Sequence, residues 1–327
     1  MTDSAWRYCT AEQCREVLYS FRLFGEKDWS MEEQERCLYT LSNHVERYYR
    51  KVYIPKKNGK KRKLLIPDPI LLQVQRNILS EILMQMPVSN YAKAYQKGSD
   101  ISKMASVHKN QKKVLHLDIH DFFGNITYRM VYQQVFSQNR FPSAIGTLLA
   151  HLCCYRDYLP QGAPTSPVIS NLVLKPFDDY VGRWCRESGI IYTRYCDDMV
   201  FSGDFDTKSV IHKVRAFLAV MGFSLNEKKS EVRLPYQRQS VLGIVVNEKM
   251  QVPREYRRNV HQEVYYSRKY GVDDHLTYLK NGEEKKQEKE KYLLSLLGKV
   301  NYILQINPQD KLAKADQAIV KELLKTF

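Results

Sequence analysis

The sequence predicts an α+β fold, on two features of residue order. Helical spacing of apolar residues occupies the N-terminal stretch up to about Arg50 and returns after Pro253, whereas the middle of the chain holds short runs rich in β-branched and aromatic residues. One such stretch, Gly189 to Gly203, brackets Tyr195-Cys196-Asp197-Asp198 between two strand-like runs and predicts a β-hairpin with an acidic tip. Adjacent carboxylates repel each other, so a fold that holds them near a third must supply cations, and divalent metals are the obvious ones. Taken alone, Asp-Asp at a hairpin end is equally ordinary turn chemistry.

A chain of 327 residues, 43% of them hydrophobic, has room for a real core in one large domain or in several lobes. Its formal net charge of +15 attracts polyanions and supplies the salt-dependent part of nucleic-acid affinity. A basic membrane-surface protein is the competing reading. Against it, the sequence holds no apolar run long enough to span a bilayer, no signal-peptide core and no lipidation motif, so the chain is expected in the cytoplasm with no membrane partner. Seven cysteines, including Cys9, Cys14 and Cys153-Cys154, follow neither a disulfide nor a zinc-ligand pattern and are read as reduced, mostly buried thiols.

Each element follows in order. Val17, Phe21 and Phe24, then Cys37, Leu38, Leu41 and Val45, mark two helices, the second opened by Ser30 as N-cap with Glu33 completing a capping box. Two strand-like runs from Tyr48 to Pro67 meet at Asn58-Gly59, a hairpin whose tip carries six cations between Lys56 and Lys63 and so suits an anion such as a triphosphate or a nucleic-acid backbone. Leu71 to Leu83 is helical and stops before Pro87, and Lys97-Gly98-Ser99-Asp100 starts a helix expected to end near His108-Lys109-Asn110. Val114 to Asp118 reads as a buried strand that delivers a carboxylate at its end, with a helix near Tyr128 to Phe136. Asp121 is open between a further acid and the cap of that helix, the cap being favoured. Pro160-Gln161-Gly162-Ala163-Pro164 is an ordered approach to a helix with Pro167 in its first turn, and it is either a rigid connector or a display of N–H groups and an amide to a sugar or phosphate. Val210 to Met221 is amphipathic, Gly222 to Val232 leads into a strand, and Ser240 to Asn247 is one further β-run. Beyond Pro253, the charged run Glu283 to Lys291 gives way to Leu293, Leu296, Leu297, Val300 and Ile303.

Together these pieces resemble a reverse transcriptase over nearly the whole chain. The motifs stand in that family's order: the hairpin ending in Arg62-Lys63, Leu117-Asp118-Ile119 with Phe122-Phe123, Leu159-Pro160-Gln161-Gly162, Tyr195-Cys196-Asp197-Asp198, Lys228-Lys229 and Leu242-Gly243. The resemblance implies a right-hand polymerase with an antiparallel palm sheet flanked by helices. It implies two-metal nucleotidyl transfer, with Mg2+ or alternatively Mn2+ held by Asp118, Asp197, Asp198 and the carbonyl of Ile119. By the same resemblance Arg62, Lys63 and Gln161 contact the nucleotide, Phe123 lies under its sugar and excludes a 2′-OH, Lys229 gives a proton to pyrophosphate, and Leu242-Gly243 form the primer grip. The implied divisions are a helical segment 1–50, fingers 51–112, palm 113–249 with a helical insertion 125–157, and thumb 250–327.

About 80 residues follow the primer grip, room for a thumb but not for a further nuclease or maturase domain. A minimal polymerase of this size resembles the retron reverse transcriptases, which implies dNTPs and a structured non-coding RNA as partners, priming from a 2′-OH, a single-stranded DNA product, and a toxin-like effector in antiphage defence. Two departures keep alternatives open: Met104-Ala105-Ser106-Val107-His108 where retrons carry Asn-Ala-x-x-His, and Val241-Leu242-Gly243 where they carry Val-Thr-Gly. The alternatives are a group II intron-like or other defence-associated enzyme, and an RNA-binding scaffold that has lost catalysis.

Overall fold

Polar side chains start the first two helices, the second as the sequence predicts. Thr10 opens α1 (Ala11–Ser20) and Ser30 opens α2 (Met31–Asn43), each closing a capping box, with Gln13 and Glu33 respectively. The computed structural model to which they belong describes residues 6, 9–25, 29–56, 59, 61–96, 98–272, 274 and 286–325. By backbone contacts the chain divides into two compact units. One comprises Met1–Ser99, Leu115–Phe201 and Phe205–Glu231, the other Asp100–Val114, Ser202–Asp204 and Val232–Phe327.

In the first unit, β1 (Tyr49–Pro55) and β2 (Lys61–Pro67) pair antiparallel with Ile54 opposite Arg62 and Tyr53 opposite Lys63. Gly59 takes φ +77° at the turn, while Lys57, Asn58 and Lys60 of the expected Asn-Gly tip lie outside the described residues. Asp68 caps α3 (Pro69–Asn77), and the expected longer helix changes there to a π-helical turn, Ile78–Ile82, ahead of Pro87. A four-stranded sheet has the order β4-β5-β3-β6, from β3 (Lys113–Asp118), β4 (Ile191–Tyr195), β5 (Asp198–Gly203) and β6 (Glu231–Arg233). Leu115, Leu117 and Phe201 of this sheet join one apolar core with Phe177 and Val181 of a helix at Lys175–Glu187 and with Val214 and Leu218 of another at Thr207–Val220.

Short helices join these strands: α4 (Ile101–Ser106), α5 (Phe122–Asn125), α6 (Tyr128–Gln134), α7 (Ser143–Cys153) and α8 (Ser166–Val173), ahead of the two core helices, α9 (Lys175–Glu187) and α10 (Thr207–Val220). Two expectations change here. α6 is capped by Thr127, whose Oγ1 accepts from the Met130 N–H, whereas Asp121 precedes α5 in a left-handed conformation (φ +40°) with no side-chain cap bond. α4 stops at Ser106 because the chain then tightens into single turns and Asn110 goes left-handed at φ +56°. Lys97, at the expected helix start, is outside the described residues.

In the second unit the expected single run Ser240–Asn247 is a tight hairpin, β7 (Ser240–Val241) with β8 (Ile244–Val245). Leu242 (φ +50°) and Gly243 (φ +81°) form its two-residue turn, and positive φ at both central residues is the signature of a turn that matches strand twist. Among the described residues three longer helices follow: α11 (Arg254–Lys269), α12 (Lys286–Ile306) and α13 (Lys311–Lys325). Val260 and Val264 of α11 are buried like Leu293, Leu296 and Val300 of α12, while Glu283 to Lys285 of the charged run are outside the described residues. All seven cysteines are free thiols, and Cys153, Cys154, Cys185 and Cys196 are buried.

Candidate active site

Strand β3 buries Val114, Leu115 and Leu117 and ends in Asp118, which is only 3% exposed. A carboxylate taken out of water needs donors, and one short segment supplies them. Asn226 Nδ2 donates to Oδ1 at 3.0 Å and Lys229 Nζ donates to Oδ2 at 2.6 Å, while the Asn226 main-chain N–H donates to the Asp118 carbonyl at 2.7 Å. A 3-10 turn, Glu227–Lys229, presents the lysine. Its ammonium is held above the usual lysine value, chiefly by the hydrogen bond to Asp118, partial burial opposing and the charges of Asp118, Asp197 and Asp198 adding to the attraction.

The acidic hairpin is β4 and β5 joined by Cys196 and Asp197. Cys196 takes φ +59°, and the Ile119 N–H donates to the Asp197 carbonyl at 3.1 Å, which ties the tip to the end of β3. Asp198 opens β5. Its carboxyl is pushed up to about 6, by burial first, then by the charges of Asp197 and Asp118, with Lys229 opposing. The sheet therefore gathers Asp118, Ile119, Asp197, Asp198 and Lys229 of the predicted residues. Among the described residues no three His, Cys, Asp or Glu side chains are already arranged to enclose an ion. The donors present are nonetheless hard carboxylate oxygens whose mutual repulsion a divalent cation would relieve, the chemistry that suits Mg2+.

The nucleotide-facing candidates form a second group. Arg62 and Lys63 are exposed on β2, with Lys63 Nζ 5.8 Å from the Tyr155 ring centroid. Two residues along the strand from Lys63, the Leu65 N–H donates to the Gln161 carbonyl at 2.8 Å. Gly162, at φ +125°, makes that approach feasible, since a Cβ there would lie 2.6 Å from the Leu65 carbonyl oxygen. Phe122 is buried, as expected of a core aromatic, and half-buried Phe123 lies with its ring centroid 5.4 Å from that of Phe122. Leu242 and Gly243 belong to the second unit. Sequence reasoning missed Asn226 and the fully buried Arg194, whose Nη1 donates to the Cys196 carbonyl at 2.7 Å. A signal for the second was present: a permanent charge inside a strand of otherwise strand-forming residues.

Residues 54–293 match the family described as reverse transcriptase (RNA-dependent DNA polymerase). The chain belongs to that family and is an RNA-directed DNA polymerase with the family's α+β polymerase fold. Within it, the chain is of the retron type. The retron Ec86 reverse transcriptase of Escherichia coli is 31% identical over 225 residues, which span 67% of this chain and 69% of that one. The retron Mx65 reverse transcriptase of Myxococcus xanthus is 31% identical over 258 residues, 71% of this chain and 59% of the relative. Similar solved structures include a Candida albicans telomerase in complex with a telomeric RNA fragment, at 9% identity and a TM-score of 0.48 over 89% of this chain and 67% of that one. A foamy viral protease-reverse transcriptase in complex with double-stranded DNA gives 14% identity and 0.41, over 85% and 44%. Among the described residues no helix is long and apolar enough to cross a membrane.

Proposed function

We propose that Asp118, Asp197 and Asp198 are the catalytic carboxylates of a retron polymerase that copies a structured non-coding RNA into single-stranded DNA with two Mg2+ ions, Mn2+ being the alternative. The observation that carries this is geometric: Asp118 at the end of β3, held by Lys229, is joined to the hairpin tip through the Ile119 N–H on the Asp197 carbonyl, with Asp198 next in the chain. Divalent cations held there supply charge to the attacking and leaving oxygens of an in-line nucleotidyl transfer. Asp118, Asp197 and Asp198 would hold these ions, together with the Ile119 carbonyl. Lys229 is the proposed proton donor to pyrophosphate, and its side chain, 59% exposed, has room to turn from Asp118 towards substrate. Arg62 and Lys63 bind the triphosphate, Gln161 contacts the nucleotide, and Phe123 excludes a 2′-OH. The bond from Leu65 to Gln161 supports this by joining the basic strand to the glutamine loop.

The same proposal divides the chain into a helical segment 1–50, fingers 51–112, palm 113–249 and thumb 250–327, with Leu242-Gly243 as primer grip. It assigns a 2′-OH primer and a cytoplasmic role in antiphage defence with a toxin-like effector. Purified protein given its copurifying RNA, Mg2+ and dNTPs is expected to make DNA joined to RNA by a 2′,5′ branch. Asp197→Asn combined with Asp198→Asn is expected to lower synthesis about 1,000-fold. Undiminished synthesis by that variant sinks the site assignment. DNA extended from a 3′-OH favours a group II intron-like enzyme, and no DNA from the intact protein favours a scaffold.

A further inference from the structure

Arg194 lies in β4, two residues before Cys196, and none of its side chain reaches solvent. A guanidinium stays charged at any pH a protein meets, so burying one demands partners for its whole fork. Nε donates to Asp178 Oδ1 at 2.9 Å and Nη2 to Asp178 Oδ2 at 2.5 Å, and the Tyr192 hydroxyl donates to the same Oδ1 at 2.8 Å. The remaining arm leaves the ion pair. Nη1 donates to the main-chain carbonyl of Cys196, the left-handed residue from which Asp197 and Asp198 follow.

That destination is informative. A two-residue hairpin turn with φ > 0 normally takes glycine or asparagine, and Cys196 has no such preference. Something other than residue type must hold the corner, and the Arg194 arm is a charge-assisted bond on its carbonyl. The arginine is itself held at both main-chain groups, its N–H donating to the Tyr91 carbonyl at 2.8 Å and its carbonyl accepting from the Lys93 N–H at 2.7 Å. Tyr91 in turn packs on α9, the helix that carries Asp178, where a Cβ on Gly182 would lie 2.2 Å from the Tyr91 ring. For core stability alone, apolar residues of similar volume serve as well as a buried ion pair or better. The geometry of the fork serves the turn.

Resting on the metal-site reading of Asp197 and Asp198, we propose that Arg194, oriented by Asp178 and Tyr192, is a positioning residue that sets the Cys196 carbonyl and thereby aims both carboxylates at divalent cations. The test compares the wild type with Asp178→Leu/Tyr192→Phe/Arg194→Met, which removes the network together and leaves no lone buried charge. Arg194→Lys keeps a cation for Asp178 but cannot span both Asp178 and the carbonyl. Folding is checked by circular dichroism and melting, Mn2+ binding to nucleic-acid-free protein by electron paramagnetic resonance, and nucleotide addition by single turnover. The folded triple variant is expected to bind Mn2+ about 10-fold more weakly and to add nucleotide about 100-fold more slowly at saturation, with half-saturating dNTP changed less than about threefold.

Wild-type Mn2+ affinity and rate in the folded triple variant would overturn the proposal and leave the network a core feature. If the triple variant does not fold, Arg194→Lys decides: weakened Mn2+ binding supports the proposal, and wild-type binding overturns it. The underlying site reading fails separately, if Asp197→Asn with Asp198→Asn leaves Mn2+ binding intact.

Discussion

Asp198 gives the site a pH signature at the scale of one residue. Its carboxyl, raised to about 6 by burial and by Asp197 and Asp118, holds its proton to higher pH in the folded chain than in the unfolded one. Between roughly pH 4 and 6 the folded state therefore binds more protons, and without metal the stability this group contributes falls as pH rises through that window. In EDTA, Asp198→Asn is expected to melt above the wild type at pH 7, the gap closing near pH 4, and a wild type that melts higher at pH 7 would contradict the coupling. Adding Mg2+ should raise the wild-type melting temperature more than the variant's, by mass action on the folded state. A second prediction concerns Phe123: Phe123→Ala is expected to raise ribonucleotide incorporation relative to deoxynucleotide by about 10- to 100-fold, read from paired kcat/KM values, if the ring excludes a 2′-OH. Asp118, Asp197 and Asp198 stand out in the sequence because one ends an apolar strand-like run and the other two sit at a hairpin tip, although the tip by itself reads equally well as turn chemistry. Asn226 carried no such mark, since its importance comes from Asp118, 108 residues away, whereas Arg194 stood out only as a charge inside a strand, its contacts to Asp178 and the Cys196 carbonyl formed by the fold.

At the scale of elements, local chemistry explains both what the sequence disclosed and what it hid. Ser30 with Glu33, and Val114 to Asp118, carry their own signals, a capping box and an apolar run ended by an acid, and both elements formed where expected. The run Ser240–Asn247 hid its turn because Leu242 is a poor turn former, although Gly243 beside it could have hinted at a break. A leucine held at φ +50° is strained, so Leu242→Asn, which restores the preferred Asn-Gly pair, is expected to stabilise the protein by about 0.5–1 kcal/mol in denaturant unfolding. The same variant separates two roles. If the Leu242 side chain serves the primer, polymerisation falls while stability rises; if only the turn matters, both are kept. The early stop of α4 was invisible for a related reason, since Asn110 accepts the left-handed conformation and its N–H is claimed by the carbonyls of Val246 and Asn247, far along the chain.

For the whole molecule, the net charge of +15 predicts how RNA binding responds to salt, and the basic hairpin makes the response diagnostic. If several phosphates are neutralised, affinity for a structured RNA should fall by at least about 10-fold between 50 and 200 mM salt, seen in filter binding as a linear log–log plot. Arg62 and Lys63 then distinguish two uses of β2. If they grip the triphosphate of an incoming nucleotide, Arg62→Ala with Lys63→Ala leaves the RNA slope unchanged and raises the dNTP concentration for half-maximal synthesis. If they track the RNA backbone instead, each lost cation lowers the slope by about one and the dNTP dependence is kept. The joining of β2 to the Gln161 loop through Leu65 favours the first result, because Gln161 is the proposed nucleotide contact and a strand fixed to it has its cations directed to the same ligand. A reduced salt slope with unaltered dNTP dependence would move Arg62 and Lys63 out of the nucleotide site and into the RNA path.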